Sequence, residues 1–186
     1  QQLAPCGLLG VAIEENYGGM GFGFIELCLF IEELGLTIAP VPAISHLVSA
    51  AMPIQKFGSE QQKNDYLPGV VSGEKLLTAA LSENINDNPA NPLATTAFSE
   101  GDGYRVSGEK RHVPFAAQAD RVLVSASVDG GVAVFLVDPK ASGVSLTALS
   151  VTTYEPQYVL EMNDVIVAPV DVLAGPDRGA EVMTWL

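Results

Sequence analysis

Between Phe24 and Leu36 apolar residues recur at Phe24, Leu27, Ile31 and Leu34, the spacing of one helix face, while Ile25, Cys28, Leu29 and Phe30 carry the apolar surface almost all round. The pattern predicts a helix buried on most sides. A second helix is expected over 43–57, closed by Gly58 as a left-handed cap. Ser59 stands three residues before Gln62, a capping box that opens a short polar helix to about Tyr66, with Pro68 and Gly69 ending it. After Gly73 the period changes to short runs of Val, Leu, Thr and Ala broken by Gly, Asp, Asn and Pro, the signature of an antiparallel β-domain. Asp102-Gly103, Asp129-Gly130-Gly131 and Asn163-Asp164 are read as hairpin turns, and about seven or eight strands should close into a barrel or sandwich. The expected organisation is α+β: a helical segment over 1–73, a β-barrel domain over 74–174, and the start of a further helix over 175–186.

One stretch breaks the alternation. Residues 82–92 hold four Asn and two Pro, which excludes a strand or helix interior and predicts a long loop directly after a buried strand. A loop of that length is as readily functional as merely tolerated.

Composition narrows the function classes. With 186 residues, 48% of them hydrophobic, the chain can bury one good core or two small ones. A net charge of −13, with nine Lys and Arg scattered as singles apart from Lys110-Arg111, provides no basic stripe and excludes nucleic acid as a partner. Cys6 and Cys28 have no CxxC spacing and no clustered His, so neither a metal site nor a disulfide is expected, and a reduced cytoplasmic setting is the simplest. No apolar run reaches membrane-spanning length. The chain begins Gln1-Gln2-Leu3 and stops at Trp185-Leu186 as a helical pattern starts, so both ends are expected to be cuts in a longer chain.

Several ordered segments together carry a resemblance. Leu9 through Gly21, containing Glu14-Glu15-Asn16-Tyr17-Gly18-Gly19, is followed by Ile31-Glu32-Glu33-Leu34-Gly35, by Phe57-Gly58-Ser59-Glu60-Gln61-Gln62-Lys63, and by Tyr66-Leu67-Pro68 with Ser72-Gly73-Glu74. Ala80-Leu81-Ser82-Glu83, Gly103 through Lys110, Ala119-Asp120-Arg121 and Gly175-Pro176-Asp177-Arg178-Gly179 continue in order. Taken singly each is a turn or a solvated edge; in this order the set resembles the acyl-CoA dehydrogenase family over nearly the whole chain.

That resemblance implies an N-terminal helical domain, a β-barrel and a C-terminal four-helix bundle, with FAD held between barrel and bundles of a tetramer. It implies abstraction of the α-proton of an acyl-CoA by a carboxylate while a hydride leaves the β-carbon for flavin N5, giving a trans-2-enoyl-CoA, with an electron-transferring flavoprotein-type acceptor as partner. No carboxylate of this chain matches the catalytic Glu, so no catalytic residue is named. By position, Leu81 and Ser82 would meet the flavin pyrimidine ring, with Ser82 replacing the usual Thr. His112, Val113 and Pro114 stand where the family has a Trp-Ile-Thr run against the isoalloxazine, and Asn88 falls where a Ser hydroxyl meets the CoA pyrophosphate. Pro114 has neither the hydroxyl nor the amide hydrogen of that Thr, and the glycine-rich run of the family is here Ser82 through Pro89 without a glycine. Two readings stay open: an acyl-CoA-oxidising flavoenzyme, or a non-catalytic or half-site subunit that assembles with an active partner as a homo- or heterotetramer.

Overall fold

The computed structural model describes residues 3–153 and 155–186, which fall into two units, one ending at Leu77 and one covering Thr78–Leu186. Three short 3₁₀ turns, Ala4–Cys6, Leu8–Gly10 and Glu15–Tyr17, open the first unit. Tyr17 is buried, and its hydroxyl donates to Glu60 Oε2 at 3.1 Å, while Lys63 holds the other oxygen of that carboxylate at 2.9 Å. A Cβ on Gly19 would lie 2.0 Å from the carbonyl oxygen of Ile13, so the Gly18-Gly19 pair answers a packing demand as well as a turn.

The helix α1 spans Phe24–Leu36 as the pattern requires, but within the described residues it buries only Leu27. Ile25 is 73% exposed and Leu36 72%, which corrects the expectation of burial on most sides. Apolar periodicity states what a helix has to bury, not whether the covering element stands in the same stretch of chain. The next helical run is π-helical over Ile44–Ala51 and continues as α2, Met52–Phe57. Gly58 is extended, with φ −66° and ψ 153°, rather than left-handed; a Cβ there would come 2.5 Å from the Ile54 carbonyl oxygen, so close approach is what calls for glycine.

Ser59 caps α3 as expected: its Oγ accepts from the Gln62 amide at 3.2 Å and its own amide donates to Gln62 Oε1 at 2.9 Å. The helix does not stop near Tyr66, however. It runs Glu60–Ser72 with Pro68 inside it and ends at Gly73, left-handed at φ 72°. Tyr66, Leu67 and Val70 are buried. At about 1.5–3 kcal/mol for each large side chain buried, they outweigh the roughly 3 kcal/mol that an interior proline costs.

In the second unit eight strands form one sheet: β1 Leu77–Ala80, β2 Thr96–Glu100, β3 Gly103–Pro114, β4 Arg121–Val128, β5 Gly131–Val137, β6 Val144–Leu149, β7 Gln157–Val167 and β8 Val172–Ala174. Their order is β6-β7-β3-β2-β4-β5-β8, with β1 also paired to β4. The sheet does not close on itself, so the expected barrel is corrected to an open sheet. Nor is it wholly antiparallel: β2 meets β4 in parallel through the single register pair Thr96↔Ser127.

Of the three predicted turns, Asp129-Gly130 joins β4 to β5, with Val128 opposite Gly131. The β2–β3 turn is Gly101-Asp102, one residue earlier than read, because Glu100 pairs with Gly103. Asn163-Asp164 is no turn at all. The strand β7 runs through it with a bulge, where Asp164 takes φ 52° and its amide donates to Ser107 Oγ at 2.9 Å. Asn and Asp tolerate positive φ in a bulge as they do in a hairpin, so composition does not separate the two. Phe135, Leu160, Val106, Val122 and Val124 centre the core of this unit. The last helix, α4 (Gly179–Trp185), contributes Val182 and Met183 as buried residues, and a Cβ on Gly179 would strike the Val132 carbonyl at 2.1 Å.

Candidate functional site

The strand β1 is buried along its length, and the chain then passes through half-buried Leu81 to Ser82. Two contacts lay residues 78–82 antiparallel along the end of β3: Thr78 Oγ1 donates to the Pro114 carbonyl at 2.7 Å, and the Arg111 amide donates to the Ser82 carbonyl at 2.9 Å. Leu81 and Ser82 therefore stand beside the His112–Pro114 segment, two sequence stretches thirty residues apart brought into one wall. The Ser82 hydroxyl is half-buried and has no hydrogen-bond partner among the described residues.

At His112 the ladder between β3 and β7 slips, for Lys110 pairs with Leu160 but Val113 with Tyr158. The extra residue is accommodated by His112 itself, exposed and at φ 54°. A non-glycine residue held there costs about 1–3 kcal/mol, a cost that strands meet most often where a side chain has to be re-aimed. His112 Nδ1 lies 3.1 Å from Gln157 Oε1, which fixes the ring when Nδ1 carries the proton. Val113 is fully buried within the core, so only its backbone is placed for a ligand. Pro114 is half-buried at the end of β3, with its carbonyl committed to Thr78.

The polar centre of this region is a residue that sequence reading passed over. Glu83 is 4% exposed and its carboxylate collects four donors: Oε2 accepts from the amides of Leu93 and Ala94, each at 2.8 Å, and Oε1 from the Thr95 amide and Lys110 Nζ, each at 3.0 Å. Burial pushes the Glu83 carboxyl up, but the bonds from Ala94, Leu93, Thr95 and Lys110 outweigh it and hold the group down at about 2. Lys110 is wholly buried, and desolvation draws its ammonium below the usual lysine value against the pull of Glu83. Gly108, at φ 144°, admits the exit of the loop, since a Cβ there would lie 2.6 Å from Thr95 Cα. A signal existed in the sequence: Val106, Gly108 and Lys110 share the inward side of β3, and a lysine at an inward position requires a buried acid.

Between these ties the loop makes its own turns. Asn86 Oδ1 accepts from the Asn88 amide at 3.1 Å and Asn86 Nδ2 donates to the Asn91 carbonyl at 2.8 Å, while Asn88 Oδ1 accepts from the Ala90 amide at 3.1 Å. Asn88 is exposed, and no hydrogen bond among the described residues ties it to Ser82 or His112. The first unit holds a separate apolar cavity of about 520 Å³, lined by residues including Leu9, Leu34, Val41 and His46, which none of the expected site residues borders. His46 is buried there, its Nδ1 accepting the Leu77 amide at 3.0 Å. No helix among the described residues is long and apolar enough to cross a membrane.

The chain is similar to known proteins over its whole length. Residues 1–74 match the model of the acyl-CoA dehydrogenase N-terminal domain. The chain is 36% identical over its whole length to acyl-CoA dehydrogenase FadE27 of Mycobacterium tuberculosis, covering 48% of that protein. Among solved structures, the Tcur3481-Tcur3483 steroid ACAD G363A variant superposes with a TM-score of 0.87 at 38% identity, over 98% of this chain and 48% of that one. The ChsE4-ChsE5 complex from Mycobacterium tuberculosis gives 0.89 at 34%, over 99% and 48%. An acyl-CoA dehydrogenase complexed with FAD from Bacillus anthracis gives 0.87 at 29%, over 98% and 32%. The chain thus spans about half the length of these relatives, or less.

Proposed function

Since the chain belongs to the acyl-CoA dehydrogenase family, we propose that the protein it forms part of is an FAD-dependent acyl-CoA dehydrogenase and that the wall built by Leu81, Ser82, His112, Val113 and Pro114 faces the flavin. The reaction is α,β-dehydrogenation of an acyl-CoA thioester to the trans-2-enoyl-CoA, and the electrons pass on to an electron-transferring flavoprotein-type acceptor. FAD, when bound, supplies the acceptor of the β-hydride. The residues of this chain bind and orient: the Ser82 hydroxyl is open to donate to a carbonyl or ring nitrogen, and His112 offers its ring face at an exposed, re-aimed position. Asn88 borders the CoA phosphates, to which it offers its side-chain amide nitrogen, because its own amide and those of Ala90 and Asn91 are committed within the loop. The carboxylate that takes the α-proton lies outside this chain.

The observation that supports this reading is the pair of contacts, Thr78 to Pro114 and Arg111 to Ser82, that sets both segments side by side. Two features favour a second reading, that of a half-site subunit within a heteromeric assembly: Pro114 has no amide hydrogen, and the loop at 84–92 is filled by Asn side chains that bond the loop's own backbone. The superposition on the ChsE4-ChsE5 complex is compatible with it. The test is FAD dissociation from the full-length protein and its Pro114→Thr variant. The added donors should tighten FAD by about one ordinary hydrogen bond, 0.5–1.5 kcal/mol, or roughly two- to twelvefold. Equal affinity in the two proteins would show that the flavin does not lie against this strand end. One flavin for every two subunits in the assembled protein would select the half-site reading.

A further inference from the structure

Among the described residues, the loop 84–92 and the strand end at Ser82 are tied to one another only through Glu83. Its amide donates to the Asn86 carbonyl at 2.8 Å where the loop begins, and its carboxylate takes the amides of Leu93, Ala94 and Thr95 where the loop ends. The same carboxylate holds Lys110, whose neighbour Arg111 bonds Ser82 and whose second neighbour is His112. Four donors converge on two oxygens, and only a carboxylate accepts from all four: a glutamine would turn an NH₂ group toward an amide or an ammonium. The ammonium is as constrained as the acid. Its side chain is 0% exposed, and Glu83 is its ion-pair partner.

We infer that Glu83 and Lys110 are positioning residues for the ligand loop: the buried pair sets where residues 84–92 stand relative to Ser82 and His112, without itself touching the ligand. A pair that served the core alone would call for no contact with the loop's exit, yet three of the four donors come from there. Replacing Glu83 frees three consecutive amides and leaves Lys110 charged without a partner, so the loop loses its base while the strands keep their ladders. The consequence for FAD and acyl-CoA rests on the flavin reading given above; the consequence for the loop does not.

The experiment uses the full-length protein as Glu83→Gln, as Glu83→Gln with Lys110→Met, and as Val167→Ala, a core change at the far end of β7, opposite Tyr104 and away from Lys110. The double variant guards against a single change that fails to fold, because it removes both buried charges together. Hydrogen exchange is followed at 84–95, and FAD and acyl-CoA affinities are measured at a temperature where every variant is folded. Exchange at 93–95 should quicken at least tenfold in both Glu83 variants and stay unchanged in Val167→Ala, with ligand affinity at least tenfold weaker in the same two. Exchange at 93–95 that matches the Val167→Ala control overturns the inference. A wild type that holds no FAD refutes the flavin reading instead, and the exchange comparison still decides whether the pair sets the loop.

Discussion

Acid should weaken the fold through Glu83 over a definable range. Its carboxyl is held at about 2 in the folded protein against an ordinary value of 4.5, despite burial, because three backbone amides and Lys110 bond the ionised form. A depressed carboxyl contributes stability that is complete above its unfolded value and lost as pH falls through its folded value. The window is therefore about pH 5 to 2 and the contribution roughly 3 kcal/mol, since each tenfold change in proton affinity is worth about 1.4 kcal/mol. Burial draws Lys110 below the ordinary lysine value, so its own contribution acts toward the alkaline end, where stability should rise as pH climbs toward 10.5. Urea unfolding of the wild type and Glu83→Gln from pH 7 to pH 2 isolates the term. The stability difference between them should shrink by roughly 3 kcal/mol between pH 5 and 2. Parallel curves through that range would refute the assignment of the four bonds to an ionised Glu83.

Three further outcomes are expected, each read from chemical or thermal unfolding. Gly108→Ala should cost about 1–3 kcal/mol, from a positive φ and a Cβ forced onto Thr95, and should quicken exchange at Thr95. Phe135→Ala should cost about 3–5 kcal/mol, because the ring is fully buried at the centre of the second unit and lies 5.1 Å from the Tyr104 ring. Ser59→Ala should cost about 1 kcal/mol and fray the first turn of α3, visible as faster exchange at the Gln62 amide.

Much of this was legible along the chain, and the failures have causes. Local chemistry reads well: the Ser59–Gln62 box and the turn after Val128 depend on residues a few positions apart, and both form as predicted. Long-range burial does not. Nothing local distinguishes Pro68 as a helix stop from Pro68 as an interior residue, because the deciding term is how deeply Tyr66, Leu67 and Val70 are packed. The same holds at Asn163-Asp164, where a bulge and a turn draw on the same residues and only the partner Ser107 tells them apart. The proximity of Leu81 and Ser82 to His112–Pro114 came from resemblance, not from the pattern; the structure supplies the contacts that make it physical. The closing of the loop by Glu83 was missed because a Glu ahead of four Asn looks like one more solvated loop residue.

The parallel meeting of β2 and β4 divides the sheet unequally. On one side β2, β3, β6 and β7 are joined by long antiparallel ladders, and on the other β4 and β5 are joined by seven register pairs, with β8 beyond. Across the line between them stand, among the described residues, the register pair Thr96↔Ser127 with its bond from the Ser127 amide to the Thr95 carbonyl, and β1, which pairs with β4 and reaches the end of β3 through the Thr78–Pro114 and Arg111–Ser82 bonds. Ladders of many bonds share load, whereas a line crossed by few concentrates it, so this is where the sheet would part first under strain or partial unfolding. Thr95 sits on that line and its amide is held by Glu83. The clasp that gathers the loop is thereby also the rivet nearest the weakest row of the sheet, and whatever loosens one should set the two halves breathing against each other.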